Sequence, residues 1–225
     1  MILNKDPNIY NALTFAKEAS RHCVGMEGNI SCKKENSFLI KASGISLATI
    51  HEWGLIEMDF IGNQLTNKNI KPSMELGFHK FLLSFPEINY VSHTHPVNTL
   101  KILCSRSLYA FAAIRLFPDQ VIFNGKESCL VPYAKPGDDL TNMIQTYVQK
   151  FISKNNSFPK IILLENHGVI ACGKTIKECI IATDICEKAA EIFIGADKLG
   201  MSYLHEKQVD DLINDEKEKY RQEQL

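Results

Sequence analysis

Several features that would tie a chain to a membrane, a nucleic acid or an oxidising compartment are missing here. No apolar run reaches the ~18–20 residues needed to cross a bilayer. No basic tract stands out: Lys+Arg number 25 against Asp+Glu 26, a formal net charge of -1, so neither a nucleic acid nor another polyanion is an expected partner. The seven cysteines (Cys23, Cys32, Cys104, Cys129, Cys172, Cys179 and Cys186) form no CxxC pair and are odd in number. Met1-Ile2-Leu3-Asn4-Lys5-Asp6-Pro7 lacks the form of a signal peptide. Reduced thiols in a cytoplasmic protein are the expectation. Cys179 and Cys186 are seven apart in a predicted helix, so they share a face and are expected to pack in the core. There is also no long linker, low-complexity tract or internal repeat. A chain of 225 residues that is 45% hydrophobic and 23% charged suits one domain over 1–225, with a charged helical extension from about Glu206.

Helices interleave with short strands along the chain. Asp6-Pro7 reads as a cap and a first-turn proline, opening a helix to about Cys23 with Ile9, Leu13, Ala16 and Ala19 on its apolar face. Asn29–Lys33 and Ser37–Lys41 read as strands joined by a polar turn, and Leu55–Ile61 as a third. Pro72–Leu83 fits a helix with Met74, Phe78, Phe81 and Leu82 on its apolar side. The run from Ile88 to His95 reads as a strand. A helical stretch from Val97 to Leu116, broken near Ser105–Ser107, follows it. Gln120–Phe123 and Ser128–Val131 read as brief strands, and Pro136-Gly137-Asp138-Asp139 opens a helix to about Ser153. Lys160–Leu164 and Val169–Cys172 flank the turn Asn166-His167-Gly168, and Thr175 with Glu178 makes a capping-box pattern before a long helix. Short polar turns imply antiparallel pairing within an α/β fold.

The residues with most to say are His93-Thr94-His95-Pro96. In a strand, residues two apart point to one face, so His93 and His95 present their imidazoles together. Pro96 has no N–H and should end the strand. Two convergent imidazoles begin a transition-metal site, and His167, after a second apolar run, is a third candidate. An isolated His-x-His can equally end a strand as hydrogen-bonded or surface residues. His22, His51, His79 and His205 have no comparable partners and read as structural or surface histidines.

Six blocks in order resemble the class II aldolase/adducin family: Gly28-Asn29-Ile30-Ser31, Lys41-Ala42-Ser43-Gly44, Pro72-Ser73-Met74-Glu75, His93-Thr94-His95-Pro96, Pro132-Tyr133-Ala134 with Pro136-Gly137, and Asn166-His167-Gly168. The resemblance implies a three-layer α/β/α sandwich around a mixed, largely antiparallel central sheet. It also implies a homotetramer with active sites between neighbouring subunits, acting on a small sugar or sugar phosphate. By the same resemblance His93, His95 and His167 hold Zn²⁺ or another divalent metal such as Mn²⁺ or Co²⁺, and Glu75 is the acid/base. The implied reaction makes or breaks a C–C bond through a metal-stabilised enediolate. Without the surrounding motif, Glu75 would read as a first-turn glutamate favoured by the helix dipole.

Glu75 stands where the family's aldolases carry Glu and its epimerases typically Asp, which favours cleavage over epimerisation. Dehydratase and decarboxylase members use variants of the same site, and an adducin-like scaffold would keep the fold without chemistry. Gly28, Asn29, Ser43, Gly44 and Ser73 match the family's phosphate-binding positions, helped by a helix expected to begin near Ser73. The family's second serine is Met74 here, which cannot donate a hydrogen bond to phosphate. On its own, Ser43-Gly44 reads as an ordinary turn and Met74 as a core residue. Tyr109, Tyr203 and Tyr220 are candidate proton donors that no motif separates, and Tyr133 is expected to pack.

Overall fold

The computed structural model describes residues 6–224. Among them are seven strands, β1 (Asn29–Lys33), β2 (Ser37–Lys41), β3 (Leu55–Asp59), β4 (Tyr90–Thr94), β5 (Cys129–Val131), β6 (Ile161–Leu164) and β7 (Gly168–Gly173), forming one sheet in the order β3-β2-β1-β4-β7-β6-β5. Every neighbouring pair is antiparallel except β5 with β6. The helices are α1 (Pro7–Ala19), α2 (Leu76–Leu83), α3 (Val97–Leu103), α4 (Leu108–Ala113), α5 (Pro118–Asn124), α6 (Asp138–Asn155), α7 (Ile176–Asp197), α8 (Glu206–Asn214) and α9 (Glu216–Glu223).

Alternation along the strands splits the apolar residues between two cores. Ile161 and Leu163 face a core shared with α1, α3, α4 and α7. Ile162 and Leu164, one residue out of phase, face a core shared with α2 and α6. The result is the expected three-layer sandwich around a mixed, largely antiparallel sheet. Val91 belongs to the α2/α6 core, so His93, two residues on, lies on that face. The register pairs Asn29 of β1 and Ile170 of β7 with His93, which places the metal candidate in the middle of the sheet rather than at an edge.

Local signals explain the helix boundaries. Asp6 accepts the Asn8 N–H at 2.9 Å ahead of Pro7. The α-helix ends at Ala19, and the stretch read as its last turn is a 3-10 turn over Ser20–His22. Thr175 caps Glu178 N–H at 3.1 Å, while Glu178 reaches back to Lys174 N–H, one residue before the position of a full capping box. Cys179 and Cys186 are both buried, and the seven cysteines are free. Among the described residues, no helix is long and apolar enough to cross a membrane.

Two expectations need correction. Gln120–Phe123 is helical, inside α5: Pro118 takes the first helical position and Gly125 (φ 78°) ends the helix, so a seven-residue segment reads as a strand only if its punctuation is ignored. The helix expected over Pro72–Leu83 starts at Leu76. Pro72 is instead drawn to the end of β2 by a bridge to Ala42, and the Ser73 N–H donates to the Lys41 carbonyl at 3.0 Å. Met74 therefore leaves the apolar face and is 73% exposed. The break near Ser105–Ser107 separates α3 from α4 as expected. The C-terminal helices lie against α5, with Val209 buried and Arg221 bonded to Asp119 at 2.8 Å.

Candidate metal centre and active site

β4 delivers His93, the residue after it delivers His95, and the tight turn between β6 and β7 delivers His167. That turn requires Asn166 at φ 53°, a left-handed conformation that asparagine tolerates better than most residues. The ring centroids form a triangle of 4.8, 4.9 and 5.4 Å. One nitrogen from each ring lies within 4.8 Å of the others. Gly168 is needed beside them: a Cβ there would meet His95 Cδ2 at 2.5 Å and the Thr94 carbonyl at 2.7 Å.

Partners on the far side of two rings settle their protonation. The Val169 carbonyl can only accept, so His93 Nδ1–H donates to it at 3.1 Å. Glu27 can only accept when ionised, so His95 Nδ1–H donates to its Oε2 at 3.0 Å. Burial, with His95 adding to it, pushes His93 down to about 3, and burial with His93 pushes His167 down to about 4. Neutral His93 thus turns the bare lone pair of its Nε2 toward His95 Nε2 across 3.1 Å, a separation that a proton or a cation between the two nitrogens would bridge. Tetrahedral zinc with bonds of about 2.0–2.1 Å spaces its nitrogen ligands by about 3.3 Å. The donor set therefore fits a divalent metal, with the Val169 carbonyl and Glu27 fixing the tautomers behind it.

Glu75 stands over this cluster. It occupies the capping position of α2 and is 7% exposed. Its Oε2 accepts from Asn29 Nδ2 at 2.7 Å and lies 3.5 Å from His93 Nε2, while Oε1 lies 3.5 Å from His167 Nε2 and has no hydrogen-bond partner. A buried carboxylate oxygen without a donor, beside imidazoles that are neutral, is positioned for a proton or a cation.

The same pocket, about 210 Å³, is lined by Gly28, Asn29, Ser43, Gly44, Ser73 and Met74 together with Glu75 and the three histidines. The metal, acid/base and anion-site candidates thus meet in one place, whereas the tyrosine candidates Tyr109, Tyr203 and Tyr220 are exposed and do not line the pocket. The states of the pocket residues differ. The Asn29 amide is already committed to Glu75 and, at 3.2 Å, to Ser73 Oγ. Ser73 Oγ accepts there and from the Glu75 N–H at 3.3 Å, which leaves its O–H to donate elsewhere. Ser43 and Gly44 are exposed, with Gly44 at φ 73°. Although α2 starts only at Leu76, its N-terminus lies beside Ser73: the Leu76 N–H donates to the Ser73 carbonyl at 3.1 Å. Met74 stands at the pocket rim in solvent, so packing is not its role. Tyr133, expected to pack, is 58% exposed, with its N–H bonded to Glu165 Oε2 at 3.0 Å.

Sequence reasoning missed three supports. Glu27, which orients His95, sits in a loop with no motif of its own. Lys41 is buried and braces two pocket loops through the Met26 carbonyl at 3.0 Å and the Ile45 carbonyl at 2.6 Å. Burial pulls its ammonium downward, against the fields of Cys23 and Glu75. Its signal was a lysine inside an apolar strand. His79 is fully buried beneath Glu75, and its signal was a polar residue one turn from Glu75 on an apolar helix face. Behind the site, Glu187 of α7 accepts from Asn98 N, Thr99 N and Thr99 Oγ1 at 2.8–2.9 Å, clamping the chain that follows His95.

Comparison with known proteins places this geometry. The model of the Class II Aldolase and Adducin N-terminal domain matches residues 13–194. The chain is 27% identical over 195 residues to a 3-oxo-tetronate 4-phosphate decarboxylase of Haemophilus influenzae, covering 86% of this chain and 89% of the relative. It is 29% identical over 187 residues to an L-fuculose phosphate aldolase of Methanococcus maripaludis, covering 80% and 91%. Among solved structures, an L-fuculose 1-phosphate aldolase superposes with a TM-score of 0.78 at 18% identity, covering 96% of this chain and 97% of that one, a likeness of fold.

Proposed function

This chain belongs to the class II aldolase and adducin family, and on that premise we propose that it is a divalent-metal-dependent lyase acting on a small ketose phosphate or related keto-sugar acid. The observation that carries the reading is the free Oε1 of Glu75, buried and 3.5 Å from His167 Nε2 beside the facing Nε2 atoms of His93 and His95. His93, His95 and His167 would hold the metal, zinc in the first instance and Mn²⁺ or Co²⁺ as alternatives. When bound, such an ion polarises a substrate ketone and offsets the negative charge that develops as a bond to the neighbouring carbon breaks. Glu75 moves a proton to or from that carbon through Oε1. Gly28, Asn29, Ser43, Gly44 and Ser73 form the end of the pocket that takes the substrate's anionic group, with the free Ser73 O–H as its clearest donor.

Two reactions converge on this arrangement. A 2-ketose 1-phosphate that loses an aldehyde and a 3-oxo-tetronate 4-phosphate that loses CO₂ leave the same three-carbon ketone phosphate, carrying an extra electron pair beside its carbonyl. Carbon–carbon cleavage in the aldol sense is the first reading. Decarboxylation on the same residues is the second, favoured by the 27% identity to the decarboxylase.

The test is common to both. The zinc-loaded protein should exchange a carbon-bound proton of dihydroxyacetone phosphate with D₂O. Absence of exchange in protein with full metal content would overturn the reading. Aldehyde release from ketose phosphates, against CO₂ release from the keto acid phosphate, then separates aldolase from decarboxylase. A protein that binds no zinc, manganese or cobalt would instead be a scaffold.

The assembly follows the same proposal. The chain is one domain that forms a homotetramer, its subunits meeting near the pocket mouth, where Met26 and Met74 are 63% and 73% exposed. Light scattering tests it. Seven free thiols fit a cytoplasmic setting.

A further inference from the structure

Glu75 rests on a buried chain of hydrogen bonds leading away from the pocket. Asn29 and Ser31 are two apart on β1 and share a face. Glu75 and His79 are four apart at the start of α2 and share a face of that helix. The two pairs lie over one another. Ser31 Oγ is 2.7 Å from His79 Nδ1, His79 Nε2 meets Asn29 Oδ1, and Asn29 Nδ2 is 2.7 Å from Glu75 Oε2. Ser31 and His79 are 0% exposed, and the His79 ring stacks on Phe78 at 4.6 Å.

Donor counting gives this chain one direction. An ionised carboxylate only accepts, so Asn29 turns its NH₂ toward Glu75 and its oxygen toward His79. That oxygen needs a donor, so the His79 proton sits on Nε2. Nδ1 is then an acceptor, and the Ser31 hydroxyl donates to it. The reverse arrangement would point the Asn29 oxygen at the carboxylate.

We propose that His79 is a positioning residue for Glu75: its Nε2–H tautomer locks the Asn29 amide so that Nδ2 holds Glu75 Oε2 and leaves Oε1 free for the proton. This rests on Glu75 being the acid/base. A side chain that merely fills space beneath α2 would not need a donor on one side and an acceptor on the other. Glutamine offers both, whereas leucine offers neither.

The experiment uses the zinc-loaded full chain and proton exchange of dihydroxyacetone phosphate. His79→Leu should lower kcat by roughly 10–100-fold, the usual cost of losing a supporting contact, with KM and zinc content unchanged. His79→Gln should recover most of that rate. Nitrogen-15 spectra of the unmodified protein should show His79 as the Nε2–H tautomer, and Ser31→Ala should turn it into a mixture. A folded, zinc-replete His79→Leu with the unmodified rate would overturn the proposal. So would an Nδ1–H tautomer, a measurement that needs no variant to fold. If Glu75→Gln keeps full exchange, the acid/base assignment fails while the tautomer result still stands. If Glu75→Gln is dead and His79→Leu is unimpaired, only the positioning role fails.

Discussion

At the histidine end of the pocket, Asn29, Glu75 and His93 are each under a tenth exposed and anchored to regular elements, β1, the start of α2 and β4. At the other end, Ser43 and Gly44 lie in solvent on a loop and Met74 is 73% exposed. The first end is built like a core, where every polar atom but one or two is paired and a misplaced group costs its full desolvation. The second is built like a surface loop, where a side chain can change without disturbing packing. Under the proposed function, reaction type resides in the buried end, and choice of substrate in the exposed one.

The sharpest way to break that contrast is Glu75→Gln. Loss of a general acid/base should lower turnover by roughly 10²–10⁴-fold, with zinc content by elemental analysis unchanged; ordinary turnover would remove Glu75 from the chemistry. Glu27→Gln should come next. It weakens the partner of His95 Nδ1, so zinc affinity measured by chelator competition should fall by roughly 10–100-fold.

Acid should strike the same end. His79, His93 and His167 have folded values pushed below the ordinary histidine value by burial, His93 to about 3 and His167 to about 4. The unfolded chain then binds more protons in this range, so stability of the metal-free protein falls as pH drops from about 6.5 toward 4. A Tm flat over that window would mean these rings are not buried neutral.

Gly168→Ala forces a methyl group against His95 and Thr94, and should cost ~1–3 kcal/mol by urea unfolding. An unchanged midpoint would show that the turn can yield. Met74→Ser should be mildest: stability within about 0.5 kcal/mol and tighter binding of phosphorylated ketoses if the anion site lacks only one donor. Unchanged affinity would argue against a phosphate at Met74.

Legibility followed the same division. His93, His95 and His167 could be picked from the chain because a strand's alternation and the turn residues around His167 are local features. Glu75 came with its block, and the three-layer sandwich came with the resemblance. Glu27, Lys41 and His79 could not be read in their roles, since each acts through a residue distant in sequence: His95, the loop carbonyl of Met26, and Asn29. Met74 was misread as apolar packing because nothing local shows that Pro72 is held at the end of β2 by Ala42, delaying the helix to Leu76.

By itself the sequence determined most of the helices and strands and which side chains have metal chemistry to offer, and its resemblance to a family implied helices on both faces of a mixed sheet. The elements depend on period, caps and turn residues within a few positions of one another. The tertiary structure alone decided which ring nitrogen of His79, His93 and His95 donates, which oxygen of Glu75 is left without a partner, and that Ser43, Gly44 and Met74 stay open to solvent. Those are matters of what lies across a strand pair or under a helix, and only packing brings such partners within hydrogen-bond distance.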